Sequence, residues 1–219
     1  MTAGVQRARA KKIVSYLKRA YGEPVTELAY RYPYQLVASV MLSAQCTDKH
    51  VNNVTKTLWK KYKSVHDFAQ TPVSAFEKDI KSIPFFRNKA KAIVESARRI
   101  VENHGGKVPR TEEELTALPG IGYKTAHVIL GELYDIWEGI PTDTHVKRFA
   151  KRFELTRHND LRKISKDLEA LVPKKDWKYV NNGFVLYGRY VCPARPHDCE
   201  GHPLTKIYPK AATLWPKSK

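Results

Sequence analysis

Leu118-Pro119-Gly120-Ile121-Gly122-Tyr123-Lys124-Thr125-Ala126 joins two stretches of helical spacing through a turn with glycine at alternate positions. Gly120 and Gly122 are free to take positive φ, and a backbone without Cβ lets a phosphate come close. A helix opening at about Gly122 turns its unpaired N–H groups and the positive end of its dipole toward such an anion. A contact of that kind fixes position on a duplex without reading its sequence. As a plain corner, the same prolines and glycines would only punctuate two helices. Lys124 goes beyond punctuation. It falls in the first turn of an otherwise apolar helix, where a cation opposes the dipole. An amine in a partly apolar setting is a candidate nucleophile.

The segments around this hairpin are helical nearly throughout. Ile13, Leu17 and Tyr21 form a one-sided stripe at i+4 spacing. Leu36, Val37, Val40, Met41 and Ala44 give a broader apolar face, which predicts a central helix. Val51 to Tyr62, Phe76 to Ile80 and Ala90 to Val101 follow with the same period. Thr111-Glu112-Glu113-Glu114 has the form of a capping box and opens a short helix running to Leu118. Lys124 to Trp137, Asp143 to Phe153, Leu161 to Leu171 and Trp177 to Val191 complete the set. Short strand candidates such as Phe184 to Leu186 sit inside helical spacing. The expected fold is all-α, with about ten helices, and Pro203 to Lys219 as an extended or solvated basic tail.

The 219 residues carry 39 Lys and Arg against 22 Asp and Glu, a formal net charge of +17. That excess favours a polyanionic partner, most often nucleic acid. A hydrophobic content of 42% excludes general disorder. No apolar run is long enough to span a bilayer. Arg7, Arg9, Lys11 and Lys12 lead into no apolar segment of the secretory kind. Three cysteines are too few for a disulfide framework at this length, which fits a reducing, cytoplasmic setting.

Nineteen residues after Lys124 comes Pro141-Thr142-Asp143-Thr144-His145-Val146, with Asp143 where an N-cap carboxylate belongs. The hairpin and this motif, at this spacing, resemble the helix-hairpin-helix DNA glycosylases, and within them the endonuclease III family. Leu42-Ser43-Ala44-Gln45-Cys46-Thr47-Asp48 and Leu186-Tyr187-Gly188-Arg189-Tyr190-Val191-Cys192 are similar to further segments of that family, so the likeness runs to about Cys199.

The resemblance implies a two-lobed fold with the active cleft between the lobes: a central six-helix lobe over residues 24–137, and a second lobe from 1–23 with 138–219. It implies a glycosylase with AP lyase activity, acting as a monomer on double-stranded DNA that carries damaged pyrimidines or abasic sites. Lys124 would attack C1′ of the damaged nucleotide, and Asp143 would assist. Gln45 would enter the space left by the flipped base, and Phe85 stands where the family has an aliphatic wedge. Leu118, Gly120, Gly122, Thr125 and His145 would contact DNA. Tyr123 and His127 depart from the usual Arg and Asn. Relatives acting on adenine lack a lysine at position 124, and those acting on thymine mismatches have tyrosine there. The alternatives are such a mismatch or adenine glycosylase, or a hairpin module that binds DNA without catalysis.

Many members of that family hold a [4Fe–4S] cluster on four cysteines spaced C-x6-C-x2-C-x5-C. Here Cys192 and Cys199 match the first two, but His202 and Tyr208 occupy the others. A cubane normally takes four thiolates. Ligand count therefore predicts no cluster and no metal, with zinc on Cys192, Cys199 and His202 as the alternative; His197 is nearby as a fourth donor but too close to Cys199 for an ordinary finger spacing.

Overall fold

The computed structural model describes residues 3–23 and 25–213. Its helices are α1 (Ala3–Tyr21), α2 (Pro33–Ser43), α3 (Asp48–Lys61), α4 (Val65–Gln70), α5 (Val73–Asp79), α6 (Phe86–His104), α7 (Glu112–Thr116), α8 (Tyr123–Tyr134), α9 (Thr144–Arg152), α10 (Leu161–Leu171), α11 (Lys178–Tyr190), α12 (Pro203–Ile207) and α13 (Lys210–Thr213). No strand occurs among the described residues, and Phe184–Leu186 lies inside α11. The chain divides into two compact units, Thr26–Ile136 and Met1–Val25 with Trp137–Lys219.

In the first unit, α2 is the central helix. Its residues from Tyr34 to Leu42 are all buried, and it packs on α3, α6 and α8. The one amide in that row is paired at both its oxygen and its nitrogen. Gln35 accepts from the Arg31 N–H at 2.9 Å and donates to the Tyr62 carbonyl at 2.9 Å, as a buried polar group must. Tyr62, Phe68 and Phe76 fill the far end, with ring centroids 4.9 Å and 5.2 Å apart. Five of the seven helices here follow from apolar spacing, and α7 from the capping pattern at Thr111. The seventh, α4, is too short to show a period. Its signal was a cap: the Ser64 hydroxyl accepts from the Asp67 N–H, and the Asp67 carboxylate accepts from the Ser64 N–H at 2.8 Å.

In the second unit, α1 docks on α11 at Gly183, where a Cβ would lie 2.9 Å from Leu17 Cβ. Phe149 of α9 stacks on Phe184 of α11 at 5.3 Å and meets Tyr187 edge-on at 5.2 Å. The chain after Pro203 departs from the expected extended tail. It forms α12 and α13 and buries Leu204, Ala211 and Ala212 in this core. Residues 214–219 of that expectation lie outside the described residues. No helix among the described residues is long and apolar enough to cross a membrane.

Candidate active site

Thr111 caps α7 by accepting from the Glu114 N–H at 3.2 Å. The second half of the expected capping box is altered: the Glu114 carboxylate takes the Thr111 hydroxyl, at 2.8 Å. The hairpin turn that follows is pinned from α6. Ser96 Oγ donates to the Pro119 carbonyl at 2.9 Å, and Arg99 donates to the Ala117 carbonyl at 3.3 Å. Leu118 and Ile121, each 4% exposed, plug the turn into the core. The Leu118 side chain is therefore committed to packing, and only its backbone is left for an outside contact.

The two glycines have different jobs. Gly120 has φ +76°, and a Cβ there would come within 2.9 Å of Ala92 Cβ and Met41 Cε. Gly122 is not in the left-handed region. It is the N-cap of α8, extended at φ −94° and ψ 176°, with open space where a Cβ would point. Gly120 is required by the fold, whereas Gly122 keeps the approach to the helix N-terminus clear. Lys124 and Thr125 follow in the first turn of α8, both partly buried. His127, 1% exposed, places Nε2 2.8 Å from Glu112 Oε2 and so ties α8 back to α7. Its ring lies 4.4 Å from that of Tyr123. Both departures from the family pattern thus serve the hairpin itself.

Asp143 is the N-cap of α9. Its Oδ1 accepts from the His145 and Val146 N–H groups, both at 2.9 Å. No hydrogen bond to its Oδ2 is found among the described residues, so the cap occupies half of the carboxylate. The residues leading into it are held hard: Asn181 donates to the Pro141 carbonyl at 2.7 Å, and Ser165 to the Ile140 carbonyl at 2.8 Å. His145 lies with Arg148 over Gly188 of α11, where any Cβ would collide with both.

Gln45 and Phe85 share an unusual backbone state. Both are exposed residues in the left-handed region, at φ 54° and φ 58°. For a bulky residue this costs on the order of 1–3 kcal/mol and persists only where the surroundings impose it. Lys89, one turn into α6, imposes it on one side. Its ammonium donates to the Leu42 and Ala44 carbonyls at 2.7 Å and 2.6 Å, ending α2 just before Gln45. Burial lowers the pKa of this ammonium. Phe85 is 62% exposed at the N-terminus of α6, whereas Phe86 packs against the core. Strain in an exposed aromatic is difficult to explain by packing. Phe85→Gly is expected to leave the melting temperature unchanged or raise it, since glycine is at ease at positive φ. A lower melting temperature would show that the aromatic ring serves the fold.

The loop after α11 brings Cys192, His197 and His202 together, with ligand atoms all within 4.8 Å of one another. Arg152, 3% exposed at the end of α9, reaches the other face of the thiols. It donates to Cys192 Sγ at 2.8 Å, to Cys199 Sγ, and to the Ala211 carbonyl at 2.7 Å. Burial raises the Cys192 thiol pKa, and Arg152 pulls it back down. Burial, with His197 and Arg152 nearby, lowers the pKa of the His202 imidazole.

Residues 38–174 match the HhH-GPD superfamily of base excision DNA repair proteins. The chain is 43% identical to "Endonuclease III" of Bacillus subtilis over 83% of either chain, and 40% identical to "Endonuclease III" of Synechocystis over 94% of either. The chain belongs to the HhH-GPD superfamily. Among solved structures it is similar to a trapped endonuclease III–DNA covalent intermediate, with a TM-score of 0.88 and 33% identity over 98% of this chain and 99% of that one.

Membership of the HhH-GPD superfamily sharpens the question of the cysteine loop. The residues present do not fit a four-thiolate cluster. Arg152 lies against both available thiols, and Tyr208, at the fourth cysteine position, gives its hydroxyl to Glu154 while Arg9 lies 3.6 Å over its ring. Nor does the geometry support a loop without any metal-binding capacity, as ligand count alone had predicted. It gathers three donors, and they differ from the zinc set expected from sequence: His197 joins Cys192 and His202 in place of Cys199. The sequence spacing left this open, because His197 and Cys199 are two residues apart and only folding shows which of them joins the other donors.

Proposed function

We propose that this chain is a bifunctional DNA glycosylase and AP lyase that acts as a monomer on damaged pyrimidines in double-stranded DNA, with Lys124 as nucleophile and Asp143 as its partner. The observation that carries the reading is the state of these two side chains. Lys124 sits in the first turn of α8, with no side-chain cap on that helix, and Asp143 keeps an oxygen unused by its cap. The trapped covalent intermediate formed by a structural relative supports a covalent route.

A phosphate at the Gly122 end of α8 would set the duplex in place through backbone N–H groups. Flipping the damaged nucleotide costs a few kcal/mol. Gln45 would fill the gap, and Phe85 would stack on the opposite strand. The neutral Lys124 amine then attacks C1′, the bond from C1′ to the base nitrogen breaks, and the base leaves with the electron pair and takes up a proton. Asp143 Oδ2 accepts the proton shed by the amine and stabilises the positive charge that develops on the sugar. The C1′–O4′ bond then breaks, the nitrogen lone pair forming C1′=N+ as O4′ takes the proton held by Asp143, and the iminium of the opened sugar acidifies C2′. Loss of that proton expels the 3′ phosphate by β-elimination, and water frees Lys124. Work on DNA and the free thiols of Cys46, Cys192 and Cys199 support a cytoplasmic location, associated with the nucleoid in a prokaryote.

A panel of duplexes tests the substrate class. Oligonucleotides with a ring-saturated pyrimidine, a mismatched adenine, a G·T pair or an abasic site are incubated with the protein, and free base and strand breaks are measured. Release of the damaged pyrimidine and cleavage at the abasic site are expected. Release from the adenine or thymine mismatch alone would overturn the substrate class. Binding with neither release nor cleavage would leave a non-catalytic DNA-binding protein.

A further inference from the structure

We propose that Cys192 Sγ, His197 Nε2 and His202 Nδ1 form a site for one zinc ion, which takes over the closure of this loop. The proposal does not depend on the glycosylase reading. Four-coordinate zinc with Zn–S near 2.3 Å and Zn–N near 2.0 Å places ligand atoms roughly 3.3–3.6 Å apart. The three donors already lie within 4.8 Å of one another, so small side-chain rotations close the set. The two rings stack at 5.2 Å with planes 28° apart.

The nitrogens are prepared for a cation. His197 Nδ1 lies 2.7 Å from the Arg195 carbonyl oxygen. A carbonyl can only accept, so Nδ1 carries the proton and Nε2 carries the lone pair. A metal-binding histidine is ordinarily oriented in this way by its second nitrogen. His197 Nε2 and His202 Nδ1 are both buried without a hydrogen-bond partner. Buried polar atoms are almost always paired, and a shared cation would satisfy both at once.

The backbone holds the donors where they stand. The Cys192 N–H bonds to the Tyr187 carbonyl at 2.8 Å at the end of α11. His202 is the N-cap of α12, its N–H on the Cys199 carbonyl at 3.2 Å and its own carbonyl taking the Thr205 hydroxyl at 2.8 Å. One thiolate and two imidazoles suit zinc and not calcium or magnesium, which prefer oxygen. Arg152 does not compete for the position. It donates to Cys192 Sγ and holds Cys199, so it supports the thiolate form of the ligand from outside the coordination shell. Cys199 Sγ falls outside the set of donors that lie within 4.8 Å of one another, so it is not a ligand, and the fourth position is left to water.

The full chain, purified from zinc-containing medium, is tested by metal analysis and by cobalt(II) substitution. One zinc per chain is expected, together with a sulfur-to-cobalt charge-transfer band in the near ultraviolet. His197→Ala and His202→Ala should each weaken zinc binding at least tenfold with helix content unchanged. Cys192→Ser should remove the charge-transfer band, and Cys199→Ser should retain both the zinc and the band. Absence of stoichiometric zinc, about four irons per chain with broad absorbance near 400 nm, or loss of zinc on Cys199→Ser alone would each overturn the assignment.

Discussion

Lys124→Ala is expected to abolish strand cleavage and borohydride trapping on abasic and lesion-bearing DNA, while duplex affinity changes by no more than a few fold. The fold has no need of this amine. Lys124 is partly buried in the first turn of α8, and the hairpin is anchored by Leu118, Ile121, Ser96 and the His127–Glu112 pair. Alanine is the best helix former, and removing a cation from a helix N-terminus relieves an unfavourable dipole contact of about 0.3–1 kcal/mol. The variant should thus be as stable as the parent or slightly more so. The proposed phosphate contact at the hairpin would run through backbone N–H groups that the substitution leaves in place. Without the amine no Schiff base can form, and there is no covalent adduct for borohydride to reduce. Trapping that survives in the alanine variant would assign the nucleophile to another amine, and lost binding would make Lys124 a DNA-contact residue.

The parts of this site that were legible in sequence are those whose signal is local. The hairpin, the cap at Asp143 and the long amphipathic helices each declare themselves within one or two turns of chain. Short elements do not. Helices α4 and α12 bury too few residues for a period to show, and the lysines of the C-terminal stretch masked the burial of Leu204 and Ala211. Backbone state was only half legible. Glycine at 120 and 122 suggested positive φ at both, yet only Gly120 adopts it, because Gly122 serves as an extended N-cap. The left-handed Gln45 and Phe85 are residue types that give no such hint, and their conformation is imposed by neighbours. Arg152 was invisible for a different reason. Its partners Cys192 and Cys199 lie 40 and 47 residues further along the chain, and an arginine on a strongly basic helix reads as a solvated charge.

Asp143→Asn separates the two roles of a residue that is both cap and candidate catalyst. The cap uses only Oδ1, on the N–H groups of His145 and Val146. Asparagine offers an equivalent carbonyl oxygen and caps helices as well as aspartate does. Helix α9 and the melting temperature should therefore be preserved. At Oδ2 the substitution replaces an acceptor that carries charge with an NH2 donor, which can neither take a proton from Lys124 nor stabilise a cationic sugar. Base excision should fall about 10²-fold or more, the usual scale of a lost general base or of a lost electrostatic contact in the transition state. Asp143→Ala should lose as much activity and also about 1 kcal/mol of stability, since it removes the cap. The contrast between the two variants is the informative measurement. If Asp143→Asn retains activity within about twofold while Asp143→Ala unfolds more readily, then Asp143 is a helix cap alone and the proton from Lys124 must leave by another route.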